Sequence, residues 1–387
     1  MPPLKQRCCL SASGRDNGGV TIGPNGANLL ALRSHNTALV LDLLRAATAQ
    51  GGPGLGRRAL AERTGLTPQA VSKIVARLRD EGLVAEAGRG ASTGGKPHTL
   101  LRLAAGARYA VGVHLDRDEL TVVLADLTGE PVALRSGPFD FGDAPDRVLD
   151  GVAGRVREVT AGTGRERLLG VGVACPGPLD HFEGVLRRVV RLPQWDGFPL
   201  RDALAARLGL PVVLDKDTNA AVLAVPAGAG SGSFAYLHLG TGLGAGLVLD
   251  GEPYRGARTG AGEFGHQTVQ LDGPVCGCGN RGCLEVLCLA AVAAGDHVRA
   301  ARLMGTGAAD LVRLLDLDRF VLGGRVVGAR PELFAAEVAG ELERRGTPVP
   351  VEAGPARPAA VAVGAAALVL GPFFGARTPR PPAVSAG

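Results

Sequence analysis

Aromatic side chains and long apolar runs are both scarce in this chain of 387 residues. Aromatic residues account for 4% of the sequence while 59 residues are glycine, which indicates a core of small side chains and many tight turns. The longest apolar runs, such as Val361 to Leu370, are rich in alanine and broken by glycine. Because a membrane span needs about 20 continuous apolar residues, the sequence predicts none.

The first residues, MPPLKQRCCLSASGRDNGG, contain no apolar stretch of the kind found in secretory signals. We therefore expect a cytoplasmic protein. Seven cysteines in that compartment are expected to be reduced, metal-bound or buried rather than paired in disulfides.

Basic residues are concentrated in the amino-terminal part of the chain. Residues 1–108 contain 15 Lys and Arg against 6 Asp and Glu, whereas the rest of the chain contains 27 against 31. A basic head on a mildly acidic body favours contact with nucleic acid. The alternative is a set of solvated arginines with no such partner.

The helical signals in this head follow the order of a winged helix-turn-helix. Apolar periodicity predicts a first helix over Arg33 to Gln50 and a second over Arg58 to Thr64. Thr67 is a candidate N-cap with Pro68 at the first helical position, which predicts a third helix ending near Glu81. Two strand-like segments around a glycine-rich tip follow, as in a wing.

The third predicted helix carries polar and cationic side chains opposite its apolar stripe. A helix that enters the major groove of DNA needs such residues on its exposed face, and basic residues on a wing can reach phosphates or the minor groove. The alternative is a three-helix packing module whose third helix is only solvated. The predicted DNA-binding residues are Gln69, Ser72, Lys73 and Arg77 on the helix and Arg89 and Lys96 on the wing.

From Tyr109 onward, glycine-punctuated strand patterns alternate with helical stretches, which predicts an α/β body. The run GTGLGAG, Gly240 to Gly246, is either a plain tight hairpin or a loop that lets a ligand approach the backbone. Asp217 follows a strand, where it is suited to accept a proton from a substrate hydroxyl or simply to act as a cap.

The segment from residue 262 to residue 286 concentrates one histidine and three cysteines. His266, Cys276, Cys278 and Cys283 follow the spacing H-x9-C-x-C-x4-C, with glycines that let the chain fold around one centre. Three thiolates and an imidazole suit tetrahedral Zn²⁺, and a filled set of four ligands is structural rather than catalytic. The alternative is a chance cluster of buried thiols.

Glu263 and Glu285 flank these residues, and carboxylates fixed in a rigid loop can grip vicinal sugar hydroxyls. With GTGLGAG, AGEFGH and CGCGNRGCLE, the chain resembles the ROK family of sugar kinases and repressors, in particular the xylose-repressor-like members with an amino-terminal winged helix. The resemblance implies a two-lobed actin-like ATPase fold around a sugar cleft, usually dimeric. It implies structural zinc on the four residues named above, effector contacts from Asp217, Glu263, His266 and Glu285, and Asp217 at the position of the kinase base.

Two departures from the family pattern bear on activity. Where the family kinases have a D-x-G-G-T phosphate loop, this chain has HLDRD. His114 replaces the aspartate of that loop, and Asp116 and Arg117 replace its two glycines. Side chains therefore stand where the phosphate would lie. Lys216 replaces the common asparagine before Asp217, which exchanges an amide that donates and accepts for a cation that only donates. We therefore predict no kinase activity.

The sequence thus predicts a transcriptional repressor that binds operator DNA as a homodimer and responds to a sugar or sugar phosphate. The alternatives are an ATP-dependent sugar kinase that keeps a DNA-binding head, and a regulator whose ligand cleft is vestigial. The predicted divisions are a disordered amino terminus (1–28), a winged helix-turn-helix (29–105), an effector-binding body (109–372) and a disordered tail (373–387).

Overall fold

In a computed structural model of the protein, the described residues are 29–89, 98–187, 189, 192–226, 232–354 and 359–375. The predicted disordered amino terminus, most of the predicted tail and the wing residue Lys96 lie outside them. The described residues form a winged-helix head and a body of two α/β lobes, as the sequence predicted.

The head begins earlier than the apolar periodicity indicated. Its first helix starts at Leu29 rather than Arg33, because the periodicity marks only the part of a helix that is buried, and the first buried side chain among those described in this helix is that of Ala38. The predicted cap is confirmed, since the side chain of Thr67 accepts a hydrogen bond from the backbone N–H of Ala70 at 3.2 Å. In chain order the head contains α1 (Leu29–Ala49), β1 (Leu55–Gly56), α2 (Arg57–Thr64), α3 (Pro68–Asp80), β2 (Val84–Arg89) and β3 (Thr99–Leu103).

Each lobe of the body is built on a five-stranded sheet. The first lobe runs through β4 (Tyr109–Leu115), β5 (Glu119–Asp126), β6 (Pro131–Pro138), α4 (Pro145–Val159), β7 (Leu168–Cys175), β8 (Leu179–Asp180), β9 (Val185–Leu186), α5 (Leu200–Leu208) and β10 (Val212–Lys216). The second lobe runs through α6 (Asp217–Leu223), β11 (Phe234–Leu239), β12 (Leu243–Leu249), β13 (Glu252–Tyr254), α7 (Leu284–Ala293), α8 (His297–Leu315), β14 (Arg319–Gly323), α9 (Arg325–Gly328), α10 (Pro331–Arg344) and β15 (Val351–Ala353). The chain then returns to the first lobe in α11 (Ala360–Leu370).

The two lobes repeat one topology. The strand order is β10-β7-β4-β5-β6 in the first sheet and β13-β12-β11-β14-β15 in the second. In each, an antiparallel three-stranded meander is extended by two parallel strands on the side of its first strand. The first hairpin turns of the two meanders, residues 116–118 and 240–242, are therefore equivalent positions in the two lobes, and GTGLGAG is a hairpin as predicted.

Helix α11 lies so close to its neighbours that only glycine fits at the contacts. A Cβ on Gly112 of β4 would lie 1.9 Å from the carbonyl oxygen of Ala362, and one on Gly172 of β7 would lie 1.8 Å from that of Ala365. On the other side of the helix, a Cβ on Gly364 would lie 1.8 Å from the carbonyl oxygen of Ala220 in α6. The alanine- and glycine-rich sequence of α11 thus lets one helix pack against the first sheet and against the helix that opens the second lobe.

The head and the body share one hydrophobic core. Val40 and Leu44 of α1 belong to the same buried cluster as Val123 of β5 and Ala366 of α11. The tail was predicted to be disordered from residue 373, but residues 371–374 form a 3₁₀ turn in which the Phe374 ring lies 4.8 Å below the guanidinium of Arg45. This correction has a physical reason, since two adjacent phenylalanines are more stable packed against the head than exposed.

We expect Gly172→Ala to lower the free energy of unfolding by about 2 kcal/mol, because the added methyl group meets a backbone carbonyl that cannot move without shifting α11. Chemical denaturation measures the change. Gly328→Ala is the matched control, since nothing lies within 4 Å of its added Cβ, and a change within about 0.5 kcal/mol is expected. Equal effects of the two substitutions would contradict the close packing.

Candidate functional site

The histidine and the three cysteines of the loop before α7 converge on one point. The ligand atoms of His266, Cys276, Cys278 and Cys283 all lie within 4.8 Å of one another, so this group could hold a metal ion. His266 ends a 3₁₀ turn, Cys283 is the N-cap residue of α7, and the loop between them is closed by a bridge between Val275 and Arg281. The sequence spacing therefore identified residues that the fold brings together.

The spacing of these donors fits a tetrahedral ion. The Sγ atoms of Cys278 and Cys283 are 3.7 Å apart, and Sγ of Cys276 is 3.7 Å from Nδ1 of His266. A tetrahedron with Zn–S bonds of about 2.3 Å has edges of about 3.8 Å. Cys276 and Cys283 are buried, so part of this donor group lies within the protein interior.

The predicted effector residues lie around this loop and the facing turn of β11 and β12. Oε2 of Glu263 is 3.8 Å from Nε2 of His266. The other ring nitrogen, Nδ1, faces the cysteines. Oε2 of Glu285 accepts a hydrogen bond from the N–H of Leu243 at 2.9 Å. Asp217 is the first residue of α6, and its Oδ1 accepts from the N–H of Thr218 at 2.7 Å, but the N-cap position is held by Lys216 and α6 has no side-chain cap hydrogen bond.

Lys216 has a partner that the sequence did not predict. Its Nζ lies 2.6 Å from Oε1 of Glu263 and 3.2 Å from the carbonyl oxygen of Gly262, although Lys216 is only 6% exposed. The ion pair joins the last residue of the first sheet to the loop of the second lobe. The substitution of asparagine by lysine was visible in the sequence, but its partner is 47 residues away and could only be found in the structure.

A second buried ion pair joins the lobes beside it. Asp215, which is 2% exposed, accepts hydrogen bonds from Nε of Arg255 at 2.7 Å and from Nδ2 of Asn219 at 2.9 Å. His181 of the first lobe contacts Thr259 of the second at 2.8 Å between ring Nδ1 and Oγ1. No motif marked these residues, because each is an isolated polar residue in the sequence.

The HLDRD segment contacts the second lobe at the equivalent hairpin turn and at the first residue of α9. Oδ1 of Asp116 accepts a hydrogen bond from Oγ1 of Thr241 at 2.8 Å, and Oδ2 of Asp118 accepts from Nη2 of Arg325 at 2.8 Å. Burial would raise the pKa of Asp116, but the His114 ring, which is charged at the acidic pH where this carboxyl titrates, and the Thr241 hydrogen bond outweigh it and hold this pKa below its usual value. Asp116 therefore occupies the turn as an anion, and both aspartates are bonded to the opposite lobe.

Behind these turns lies an interlobe cavity of about 370 Å³. His114 and His238 line it, with ring centroids 6.5 Å apart. Burial lowers the pKa of His114, against the opposing charges of Asp116 and Asp217, so the ring is neutral near pH 7. Burial also raises the pKa of Tyr236, a third lining residue, to about 12.

On the head, the polar side of α3 is exposed as the sequence predicted. Nη2 of Arg77 donates to Oγ1 of Thr37 at 2.5 Å, which ties the end of this surface to α1. Lys73 and Arg77 also line a groove of about 370 Å³ between α1 and α3. The side chains of Gln69, Ser72, Lys73 and Arg77 are exposed on α3, and Arg89 is exposed at the end of β2.

None of the helices within the described ranges is long and apolar enough to cross a bilayer.

Sequence comparison matches the body and the head of the chain to two known families. The pattern of the ROK family matches residues 110–296, and that of the MarR family matches residues 37–91. The xylose repressor of Bacillus subtilis is 29% identical over 239 residues, 60% of this chain and 61% of that protein. The DNA-binding transcriptional dual regulator NagC of Escherichia coli is 28% identical over 273 residues, 67% of this chain and 64% of that protein. The matched region thus spans less than two thirds of these relatives' own length.

Solved structures agree with this assignment. A ROK family transcriptional regulator, described as a homologue of the Escherichia coli MLC protein, superposes with a TM-score of 0.70 over 89% of this chain and 97% of that chain, at 22% identity. That likeness confirms the fold, winged helix included. A ROK hexokinase from Thermus thermophilus is 31% identical, with a TM-score of 0.54 over 67% of this chain and 96% of that one. The protein belongs to the ROK family and carries a MarR-type winged helix at its amino-terminal end.

Proposed function

We propose that the protein is a transcriptional repressor that binds operator DNA through its head and a sugar-like effector in the cleft of its body. The observation that carries the proposal is an exposed polar and cationic recognition helix on a head that shares its core with a ROK body. The xylose repressor and NagC, to which the chain is similar, are regulators by name. A cytoplasmic location and the division into residues 29–105 and 109–372 are parts of the same proposal.

In the proposed complex α3 enters the major groove. Gln69 and Ser72, in the first turns of the helix, are suited to hydrogen-bond base edges. Lys73 and Arg77 border the groove toward α1, where a phosphate would meet two cations. Arg89 and Lys96 on the wing would add contacts with phosphates or the minor groove.

A homodimer would place two recognition helices on one face of the DNA. The operator would then be a pseudo-palindrome with half-sites about 34 Å apart or a multiple of that distance. Each head follows its own body rigidly, since the two share a core. The separation of the two α3 helices would therefore depend on the arrangement of the lobes.

The proposed effector site lies between the lobes, at Asp217, Glu263, His266 and Glu285. Asp217 directly follows the last strand of the first sheet, the other three residues lie in the second lobe, and polar contacts between the lobes surround them. A ligand held between two lobes changes their arrangement only as far as it binds one arrangement more tightly than the other. The resulting change in the arrangement of the lobes would then be transmitted to the head through the shared core.

We propose no kinase activity for this chain. A nucleotide phosphate would have to lie at the turn of residues 116–118, where Asp116 and Asp118 present two carboxylates that are bonded to the second lobe. Anionic side chains repel phosphate, while the family kinases are expected to offer glycine backbone N–H groups there. Asp217 would accordingly contact the effector without transferring a proton for catalysis.

The double substitution Lys73→Ala with Arg77→Ala is expected to weaken operator binding and to reduce the slope of log affinity against log salt by about 2, one for each lost phosphate contact. Fluorescence anisotropy on the protein's own upstream intergenic DNA, measured over a range of salt, gives the slope. Arg135→Ala removes an exposed charge from β6 of the body and serves as the control, for which the slope should stay unchanged. A wild-type slope in the double variant would refute the assigned DNA surface.

We further propose that His266, Cys276, Cys278 and Cys283 hold a structural Zn²⁺. The donor spacing supports this, and four protein ligands leave no open position for chemistry. A bound zinc supplies a fixed cross-link. His266, held through Nδ1, would then keep its Nε2 side toward Glu263 and fix that carboxylate in the cleft.

Metal analysis is expected to give one zinc per chain, and Cys278→Ser to lower both the zinc content and the melting temperature, because a structural zinc contributes folding free energy. Cys288→Ala is the matched control. Burial raises the pKa of its thiol to about 12, and Cys288 lies outside the cluster, so this variant should keep its zinc. Stoichiometric disulfides in place of metal would overturn the assignment.

A further inference from the structure

Lys216 is bonded to one of the carboxylates that are proposed to hold the effector. Its Nζ lies 2.6 Å from Oε1 of Glu263 and 3.2 Å from the carbonyl oxygen of Gly262. The other carboxylate oxygen of Glu263, Oε2, faces Nε2 of His266 at 3.8 Å. A sugar hydroxyl that donates to Oε1 would lie about 2.7 Å from that oxygen, which is close to the distance of the ammonium group. Lys216 and a sugar hydroxyl therefore compete for the same carboxylate oxygen.

The two sides of this ion pair differ in their access to solvent. The side chain of Glu263 is 38% exposed, whereas that of Lys216 is 7% exposed. A ligand can therefore reach the carboxylate from solvent, while the ammonium group stays behind it. The hydrogen bond between them is assisted by charge on both sides, whereas a neutral hydroxyl leaves one side uncharged. A sugar that binds Glu263 must thus replace a partner that binds more strongly than one hydroxyl.

Lys216 cannot give up Glu263 while it stays buried. Glu263 is its only ion-pair partner among the described residues, and the carbonyl oxygen of Gly262 alone does not balance its charge. A buried charge that loses its counter-charge is costly. Separation of the lobes would hydrate the ammonium group, because Lys216 ends the first sheet whereas Glu263 lies in the second lobe. Displacement of Lys216 is therefore coupled to a movement of the lobes.

The remaining effector residues allow a ligand to stay bound when the lobes separate. His266 and Glu285 lie in the second lobe together with Glu263, and Oε2 of Glu285 is fixed there by the N–H of Leu243. A sugar held by these three side chains keeps its contacts when the first sheet moves away. The separated arrangement can therefore bind the sugar without the ion pair that it replaces.

From these contacts we propose that Lys216 is a built-in competitor of the effector. Its bond to Glu263 holds the lobes together, and an effector hydroxyl that takes its place on Oε1 releases the ammonium group and lets the lobes separate. This inference rests on the proposed function, because it describes the regulation of the same cleft. Lys216 is a positioning residue for the lobes, so its removal should raise the affinity for a sugar instead of lowering it.

Isothermal titration of the full-length protein with D-glucose, D-xylose and N-acetyl-D-glucosamine measures this affinity. We expect Lys216→Asn to bind one of these sugars about tenfold more tightly than the wild type does. Lys216→Arg keeps the cation and should gain no affinity. Lys73→Asn makes the asparagine exchange on the exposed side of α3 and should leave sugar binding unchanged. Equal, weaker or undetectable binding of all three sugars by a folded Lys216→Asn protein overturns the proposal.

Small-angle X-ray scattering measures the separation of the lobes. The double substitution Lys216→Met with Glu263→Gln removes both charges, so neither is left without its partner, and it tests the lobes even if Lys216→Asn fails to fold. We expect a larger radius of gyration than that of the wild type, and a shift in the same direction when the wild type is saturated with a sugar that it binds. No increase in the folded double variant, or contraction of the wild type on saturation, contradicts the proposed role of Lys216.

Operator binding, measured by anisotropy on the same preparations, separates this inference from the proposed function. Specific DNA binding by the wild type, together with no gain of sugar affinity in Lys216→Asn, contradicts the role of Lys216 and leaves the repressor assignment standing. Absence of specific DNA binding, together with a gain of sugar affinity in Lys216→Asn, contradicts the repressor assignment and leaves the role of Lys216 standing.

Discussion

The close approach of α11 to its neighbours is the constraint on which the rest of the structure depends. This helix contacts β4 and β7 of the first sheet and α6, the helix that opens the second lobe. The contacts at Gly112, Gly172 and Gly364 leave no space for a side chain. One helix of alanine and glycine therefore fixes the first sheet relative to the amino terminus of α6, where Asp217 lies. The same helix ends against the head.

Several polar contacts cross the cleft and join the two lobes. Buried pairs at Asp215 and Lys216 and the half-exposed pair of Asp118 with Arg325 all cross from one lobe to the other. Exposed pairs add about 0–1 kcal/mol, whereas a buried charge that loses its partner costs several times more. The buried pairs thus fix how the two lobes lie relative to each other. The exposed pair can be broken in a conformational change at little cost in free energy. A body with such contacts is suited to change between two arrangements of its lobes.

The candidate metal loop is connected to the cleft through His266 and Glu263. His266 belongs to the metal group on its Nδ1 side and approaches Glu263 on its Nε2 side, and Glu263 in turn binds Lys216 from the other lobe. The proposed metal ion would therefore stiffen the loop as far as the carboxylate of Glu263. The proposed metal site would explain why cysteines concentrate in this loop, since an irregular loop has no ladder of backbone hydrogen bonds to hold it.

The sequence by itself determined the local features. Three features depend on neighbours close in sequence, and all are found as predicted: the cap at Thr67 and Pro68, the glycine hairpin after β11, and the grouping of His266 with the three cysteines. Motif resemblance added the family and the two-lobed body. Only the tertiary structure decided the pairing of Lys216 with Glu263, of Asp118 with Arg325 and of Arg45 with Phe374, because these partners are remote in sequence. Such contacts depend on how α11 and the two sheets pack, which no local pattern specifies.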